Sequence, residues 1–150
     1  MKPKAIPQTD VFYKPPWSRP IELLVLVKLD CARTAGKWVP GDDVGNQAVI
    51  DSVCDELTDH PFLLQIYKQQ YHQKVMEWWC RFYRFHALLK DERTWFCSDT
   101  KRIFASELSW QAIAVENPKD LCYMEEGEAN WDILYRLFYE TLIYSDSDED

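Results

Sequence analysis

Residues 63–90 read LLQIYKQQYHQKVMEWWCRFYRFHALLK, and this stretch sets the fold class of the chain. Its large apolar side chains recur every three or four residues, at Tyr67, Tyr71, Val75, Trp78, Phe82, Phe85 and Leu89. This spacing places them on one side of a helix of about seven turns, because an α-helix turns once every 3.6 residues. The helix is expected to run from residue 62 or 63 to about Lys90. Such a long aromatic face needs cover, so we expect further helices before and after it.

Two helices are predicted before this stretch. The first begins at Ser18, its N-cap, carries Pro20 in its first turn and ends at Gly36. Its apolar run IELLVLV would also suit a buried strand, since periodicity does not separate the two in so short a run; the N-cap and the early proline favour a helix. The second runs from Asn46, its expected N-cap, to a stop at Pro61.

After the long helix the sequence predicts a turn with a possible short strand or hairpin near residues 94–104. Ser106 then starts another helix that ends at Asn117, residues 119–129 form an acidic loop, and residues 129–144 form the last helix. The expected fold is therefore all-α, with a three-helix unit and a C-terminal helical extension.

The predicted domain organisation is simple. Residues 1–16 contain four prolines and are expected to be a flexible arm. Residues 17–144 are expected to form one folded domain. Residues 145–150 are expected to be a disordered acidic tail, in which Ser145 and Ser147 precede acidic residues as acidophilic kinases prefer.

Several function classes are disfavoured. No apolar run is long enough to span a membrane, the start lacks a signal peptide, and we expect a cytosolic or nuclear protein with five reduced cysteines. A zinc site of Cys80, His86 and Cys97 is rejected because its spacing matches no common zinc pattern. We find no nucleophile or phosphate-loop motif, so no catalytic residue, cofactor, metal or small-molecule substrate is expected.

The net charge of −8 is unevenly distributed. Residues 41–60 hold six Asp or Glu and no Lys or Arg, and residues 106–150 hold twelve against two. Residues 61–105 reverse this balance, with eight Lys or Arg against four Asp or Glu. A nucleic-acid contact is therefore expected on the long helix if anywhere, although its cationic charge is small for that purpose.

Several short segments resemble the Myb/SANT-like DNA-binding domain family. LLKDERTWFCSD at 88–99, IFAS at 103–106, SW at 109–110 and ENP at 116–118 follow the order of that family's LLK…GFGWD, V-x-A, VW or WW, and NP elements. WDILYRLF at 131–138 is similar to its closing helix, WS at 17–18 to its opening, and KVMEW at 74–78 takes the place of its KNRW. The resemblance covers roughly residues 15–140. Glu77 stands where the family commonly has Asn or Arg, and Thr94 and Cys97 replace its glycines.

This resemblance implies a function. The family occurs in plant and fungal nuclear proteins, many related to the DNA-binding partner of Harbinger-type transposons, and some members look like domesticated chromatin-complex subunits. It therefore implies a nuclear, transposon-derived protein of transcription regulation that binds DNA, weakly or with a transposase-like partner. The alternative is an adaptor of the same fold that joins a chromatin or transposition complex without touching DNA.

Each hypothesis has candidate residues. For DNA they are the polar and basic side chains of the long helix: Gln65, Lys68, Gln69, His72, Gln73, Lys74, Arg81 and Arg84. The plain alternative is a solvated helix face. For a protein partner they are aromatic and aliphatic side chains off the main stripe: Trp79, Tyr83, Tyr139 and Ile143.

Overall fold

The computed structural model of the chain describes residues 2–61 and 66–147. This part is mostly helical with one small antiparallel sheet, which confirms the predominantly α-helical class and the predicted hairpin. The elements in chain order are α1 (Gln8–Val11), α2 (Arg19–Thr34), α3 (Asp43–Leu57), α4 (Lys68–Lys90), β1 (Thr94–Cys97), β2 (Arg102–Ala105), α5 (Glu107–Glu116), a 3₁₀ helix (Pro118–Tyr123) and α6 (Trp131–Ser147).

The chain forms two compact units. The first combines residues 2–17 with 83–131, and the second combines residues 18–82 with 132–147, so α4 and α6 each contribute to both. The sequence predicted one domain over residues 17–144 and did not indicate this division. The reason is that the apolar stripe of α4 continues without a break across residues 82 and 83.

The helix ends of the second unit show which capping predictions hold. Ser18 caps α2 as predicted, and Gly36 follows its end with a φ of 78°, a left-handed conformation that glycine adopts easily. The predicted N-cap of α3 is wrong. Asp42 caps that helix by accepting a bond from the Gly45 N–H at 3.0 Å, while Asn46 lies inside the helix and bonds both backbone groups of Val39.

The core of the second unit comes from four helices. Its buried side chains include Val25, Leu26 and Leu29 of α2, Val49, Val53 and Leu57 of α3, Tyr71, Val75, Trp78 and Phe82 of α4, and Leu134, Leu137 and Phe138 of α6. Burying each large apolar side chain contributes about 1.5–3 kcal/mol, so packing rather than helix propensity holds the unit together.

The predicted stripe of α4 needs two corrections. Tyr67 precedes the helix and is 74% exposed, so it does not belong to the buried face. Near the other end Leu88 is buried while Leu89 is half-buried, because the 3.6-residue period drifts away from a spacing of four. The predicted helix start at residue 62 or 63 is also too early, because residues 66 and 67 are not helical and α4 begins at Lys68; residues 62–65 themselves lie outside the described part.

The first unit is built on the hairpin and α5. The strands pair in antiparallel register with Trp95 opposite Phe104. The helix α5 begins where the sequence predicts, and Ser106 is its N-cap. The predicted acidic loop contains the 3₁₀ helix. The buried side chains of this unit include Tyr13, Phe85, Leu88, Ile103, Trp110, Ile113, Cys122, Tyr123 and Trp131.

The predicted flexible arm is instead packed into the first unit. Gln8 is 1% exposed, and its Nε2 donates to the carbonyl of Cys122 at 3.2 Å and to that of Gly127 at 2.8 Å. The Ile6 N–H donates to the Leu121 carbonyl. The prolines that suggested a flexible segment therefore shape an ordered one. At the other end α6 continues through Ser147, beyond the predicted start of the tail, and residues 148–150 lie outside the described part.

Candidate partner-binding surface

The first polar turns of α4 face acidic side chains of α3. Lys68 Nζ lies 3.1 Å from Asp55 Oδ1, and His72 Nε2 lies 2.6 Å from Asp51 Oδ1. The hydrogen bond with His72 lowers the pKa of Asp51, and that with Asp55 raises the pKa of Lys68. Carboxylates of α3 thus pair with two residues of the predicted DNA-contact face.

Two predicted DNA contacts lie in the interior. Lys74 and Arg81 are each only 3% exposed, whereas the prediction required them at the surface. Lys74 Nζ donates to Glu77 Oε1 at 3.1 Å, and the Arg81 guanidinium forms a two-pronged bond with the fully buried Glu22 carboxylate. Lys74 lies four residues before the buried Trp78 and Arg81 lies three residues after it. The aliphatic parts of both side chains therefore lie along the buried face of α4.

The buried carboxylate of Glu22 is held in its charged form. Burial raises its pKa, but the bond and charge of Arg81, the Trp78 indole N–H at 2.9 Å and the charge of Lys74 together leave the pKa below its ordinary value. Burial also lowers the pKa of Lys74, against the opposing effect of Glu77. These charges balance one another inside the unit, so Arg81 and Lys74 serve the fold.

The last predicted DNA cation, Arg84, belongs to the first unit. Its Nε and one terminal nitrogen donate to Asp120 Oδ1 at 2.8 and 2.5 Å. Burial raises the pKa of Asp120 although Arg84 acts to lower it. Arg93 lies in the same pocket of about 270 Å³ and is bonded to Asp91 and Glu116.

The remaining DNA candidates are uncharged. Gln69 and Gln73 are exposed on α4, and Gln65 lies outside the described residues. Each predicted cation of this set therefore has a carboxylate partner within the chain. Amide side chains read bases but supply no charge to hold a phosphate backbone, which normally dominates DNA affinity.

The second unit carries a groove of about 450 Å³ between α3, α4 and α6. Its apolar lining consists of Trp38, Ile50, Val75, Met76, Trp79 and Phe138, and its polar lining includes Asp43, Asn46, Gln47, His72 and Thr141. Met76 is 62% exposed, which leaves a large apolar side chain open to solvent within a mostly apolar groove.

Aromatic packing fixes the walls of the groove. The Trp38 indole N–H donates to the Leu137 carbonyl at 3.2 Å, and its ring meets Phe138 edge-on. The Trp79 ring contacts Phe82 and Phe138 with centroids 6.0 and 5.7 Å apart. These rings belong to the framework, so the groove does not depend on a partner to form.

The predicted protein-binding residues are divided between the two units. Trp79 lines the groove and is half-buried. Tyr139 stacks on Tyr135 at 4.5 Å and is also half-buried, while Ile143 on the same helix is 46% exposed. Tyr83 is 54% exposed but belongs to the first unit, in the pocket with Arg84.

The sequence analysis did not identify Met76 and Trp38 as residues that line the groove. Met76 follows Val75 on the edge of the buried stripe, and an apolar residue there on a helix with a wide apolar face is a usable signal. Trp38 lies between predicted helices, and no periodic pattern assigns a loop tryptophan to a wall. Only the fold brings it to α6.

Among residues 2–61 and 66–147, no group of three His, Cys, Asp or Glu side chains is placed to hold a metal ion. None of the helices in this same part of the chain is both long and apolar enough to cross a membrane. Comparison of the chain with protein-family models, curated proteins and solved structures finds no match.

Proposed function

We propose that this protein is a non-enzymatic interaction module that joins a larger nuclear assembly through the groove of its second unit. In this proposal α2, α3 and α4 correspond to the three-helix unit of the Myb/SANT-like family, and α6 to its closing helix. The quoted sequence segments support that correspondence. The nuclear location and the chromatin or transposition complex rest on the same resemblance.

One observation carries the proposal: each cation of the predicted DNA-contact set has a carboxylate partner within the chain, while a mostly apolar groove of the second unit stays open. The pairs differ in how firmly they hold. If Arg81 left its pair to contact DNA, the Glu22 carboxylate would stay charged and buried, which costs about 3–5 kcal/mol of free energy. Lys68 is exposed and its pair is solvated, so it exchanges partners easily. Lys68 is thus the one cation of the predicted set that is readily available, which is a weak basis for DNA binding. An exposed Met beside a half-buried Trp is typical of partner surfaces.

Direct DNA binding remains the second candidate, favoured by the exposed Gln69 and Gln73 beside Lys68. A gel shift of random duplex DNA across salt concentrations separates the two candidates. The adaptor proposal expects little retardation even at low salt. A DNA reader would show strong retardation that falls steeply with salt, and Lys68→Ala with Gln69→Ala would abolish it.

The adaptor proposal has a matched test on the protein side. Partners that co-purify with the chain from nuclear extract are compared between Met76→Glu, which charges the groove, and Gln73→Glu, which adds the same charge outside it. Loss of a partner in the first variant alone supports the proposal. Equal retention in both variants contradicts it.

A further inference from the structure

The geometry points to a specific occupant of the groove: we propose that it binds an amphipathic helix of a partner protein whose polar face carries Lys or Arg. This inference rests on the proposed function and adds the chemistry of the partner. Three observations carry it, namely the two helical rows that line the groove, the exposed apolar side chain on its floor, and the sign of the charge around it.

The lining follows two helical rows. His72, Val75, Met76 and Trp79 of α4 are spaced three or four residues apart, as one face of a helix. Asp43, Gln47 and Ile50 of α3 repeat the pattern. Two neighbouring helix faces with a furrow between them are the surface into which the ridge of a third helix packs. An amphipathic helix then places its apolar residues along the furrow, as in other helix-in-groove complexes.

The floor provides the apolar contact. Met76 is 62% exposed, Trp79 is half-buried, and the buried Ile50 of α3 lines the same groove. Methionine adapts its unbranched side chain to the shape of a partner, and tryptophan is enriched among residues that dominate binding energy. The volume of about 450 Å³ suits several apolar side chains entering side by side.

The surroundings of the groove are acidic. No Lys or Arg is among the described residues that line it, and Asp43 on its rim forms no ion pair within the described chain. Residues 41–60, which include the whole of α3, hold six Asp or Glu and no Lys or Arg. Three of these carboxylates pair with Lys28, Lys68 and His72, so the other three give this segment its remaining negative charge. Such a surface attracts a cationic partner and disfavours an acidic one. A second copy of this chain, which has a net charge of −8, is disfavoured as the occupant for the same reason.

The test uses fluorescence anisotropy with the full chain and synthetic labelled peptides of about 18 residues, long enough to form a helix. One peptide carries Leu at helical spacing with Lys on the opposite face. The second has Glu in place of Lys, and the third has the composition of the first in shuffled order. We expect saturable binding of the first peptide and at least about tenfold weaker binding of the other two.

Three variants locate the contact. Met76→Glu should lower the affinity for the Lys peptide by about tenfold or more. Gln73→Glu should leave that affinity within about twofold of the unchanged protein. Asp43→Lys should weaken binding of the Lys peptide and strengthen binding of the Glu peptide. General destabilisation of the fold would not produce such a reversal. Thermal unfolding of each variant confirms that it is folded.

Four outcomes overturn the inference, and failure of the Lys peptide to bind is the first. The second is binding of the shuffled peptide as tightly as the ordered one, and the third is unchanged binding of the Lys peptide to Met76→Glu. The fourth is a dimer in sedimentation that Met76→Glu dissociates, which would assign the groove to a second copy. If the Lys peptide does not bind but Met76→Glu loses a co-purified nuclear partner, the proposed occupant is wrong and the proposed interaction function stands. If the Lys peptide does not bind and Met76→Glu keeps every partner, both the occupant and the interaction function are wrong.

Discussion

Replacement of Arg81 by Met tests whether this cation belongs to the fold rather than to a binding surface. Arg81 is 3% exposed and Glu22 is fully buried. The substitution keeps the apolar stem but removes the guanidinium, so the Glu22 carboxylate retains the Trp78 N–H at 2.9 Å and the nearby charge of Lys74. Both of its oxygens lose a bond from Arg81.

The expected magnitude follows from this burial. Removing one partner of a buried, hydrogen-bonded ion pair costs about 3–5 kcal/mol, because the remaining charge is left in a poorly solvating interior. The whole free energy of unfolding of a domain is about 5–15 kcal/mol, so the variant should be close to the limit of stability. With a urea dependence of about 2 kcal/mol per molar, the unfolding midpoint should fall by about 1.5–2.5 M.

Urea unfolding followed by circular dichroism at neutral pH measures this effect. Lys28→Met is the control, because it breaks an exposed pair with Glu56, at 2.6 Å, in the same unit. That control should move the midpoint only slightly, since exposed pairs contribute little. Adding Glu22→Gln to Arg81→Met should restore part of the loss by removing the stranded charge. The reasoning is refuted if Arg81→Met costs no more than Lys28→Met.

The pH dependence of the same variant has a definite sign. In the native protein the lowered pKa of Glu22 contributes stability above its ordinary pKa, and this is lost as pH falls through the lowered value. Without Arg81, burial dominates and raises the pKa, so the variant gains stability as pH falls towards about 5. The stability gap between native protein and variant should therefore narrow from pH 7 to about pH 5. A gap that widens contradicts the assignment.

Two further predictions concern the first unit. Gly127→Ala should lower the free energy of unfolding by about 1–3 kcal/mol, because a Cβ there would lie 1.9 Å from the Lys101 carbonyl oxygen; thermal unfolding measures this, and a cost under about 0.5 kcal/mol would show that the backbone shifts freely. Gln8→Ala should lower the free energy of unfolding by about 1–3 kcal/mol, because it removes the donor to the carbonyls of Cys122 and Gly127. Amide hydrogen exchange at residues 6–12 should become faster. Unchanged exchange would count against an ordered N-terminal segment.

Much of the fold was predictable because local signals and packing agree. The apolar spacing of α4 predicted its end at Lys90, and Ser18 and the segment at Ser106 predicted two helix starts. The capping of α3 was missed because Asp42 and Asn46 are both good N-cap residues in one short segment. The packing of Gln8 into the first unit has no local signal at all, since its partners lie more than a hundred residues away.

The candidate site was less predictable for a physical reason. Sequence shows that Lys74 and Arg81 are cationic, but whether a cation faces solvent or a buried carboxylate depends on Glu22, a residue 59 positions from Arg81. The groove likewise needs Trp38 and Phe138 to meet across the chain. Pairings between distant segments decide which polar residues stay available, and periodicity carries no information on them.

The most direct test of the central claim is photo-crosslinking from the floor of the groove in the nucleus. A benzophenone amino acid replaces Met76 in one variant and the exposed Gln69 in another, on the predicted DNA-contact face of the same helix. The account predicts a protein adduct from position 76, mapped by mass spectrometry to a Lys- or Arg-bearing amphipathic helix, and no DNA adduct from position 69. A DNA adduct from position 69 with no protein adduct from position 76 would contradict it.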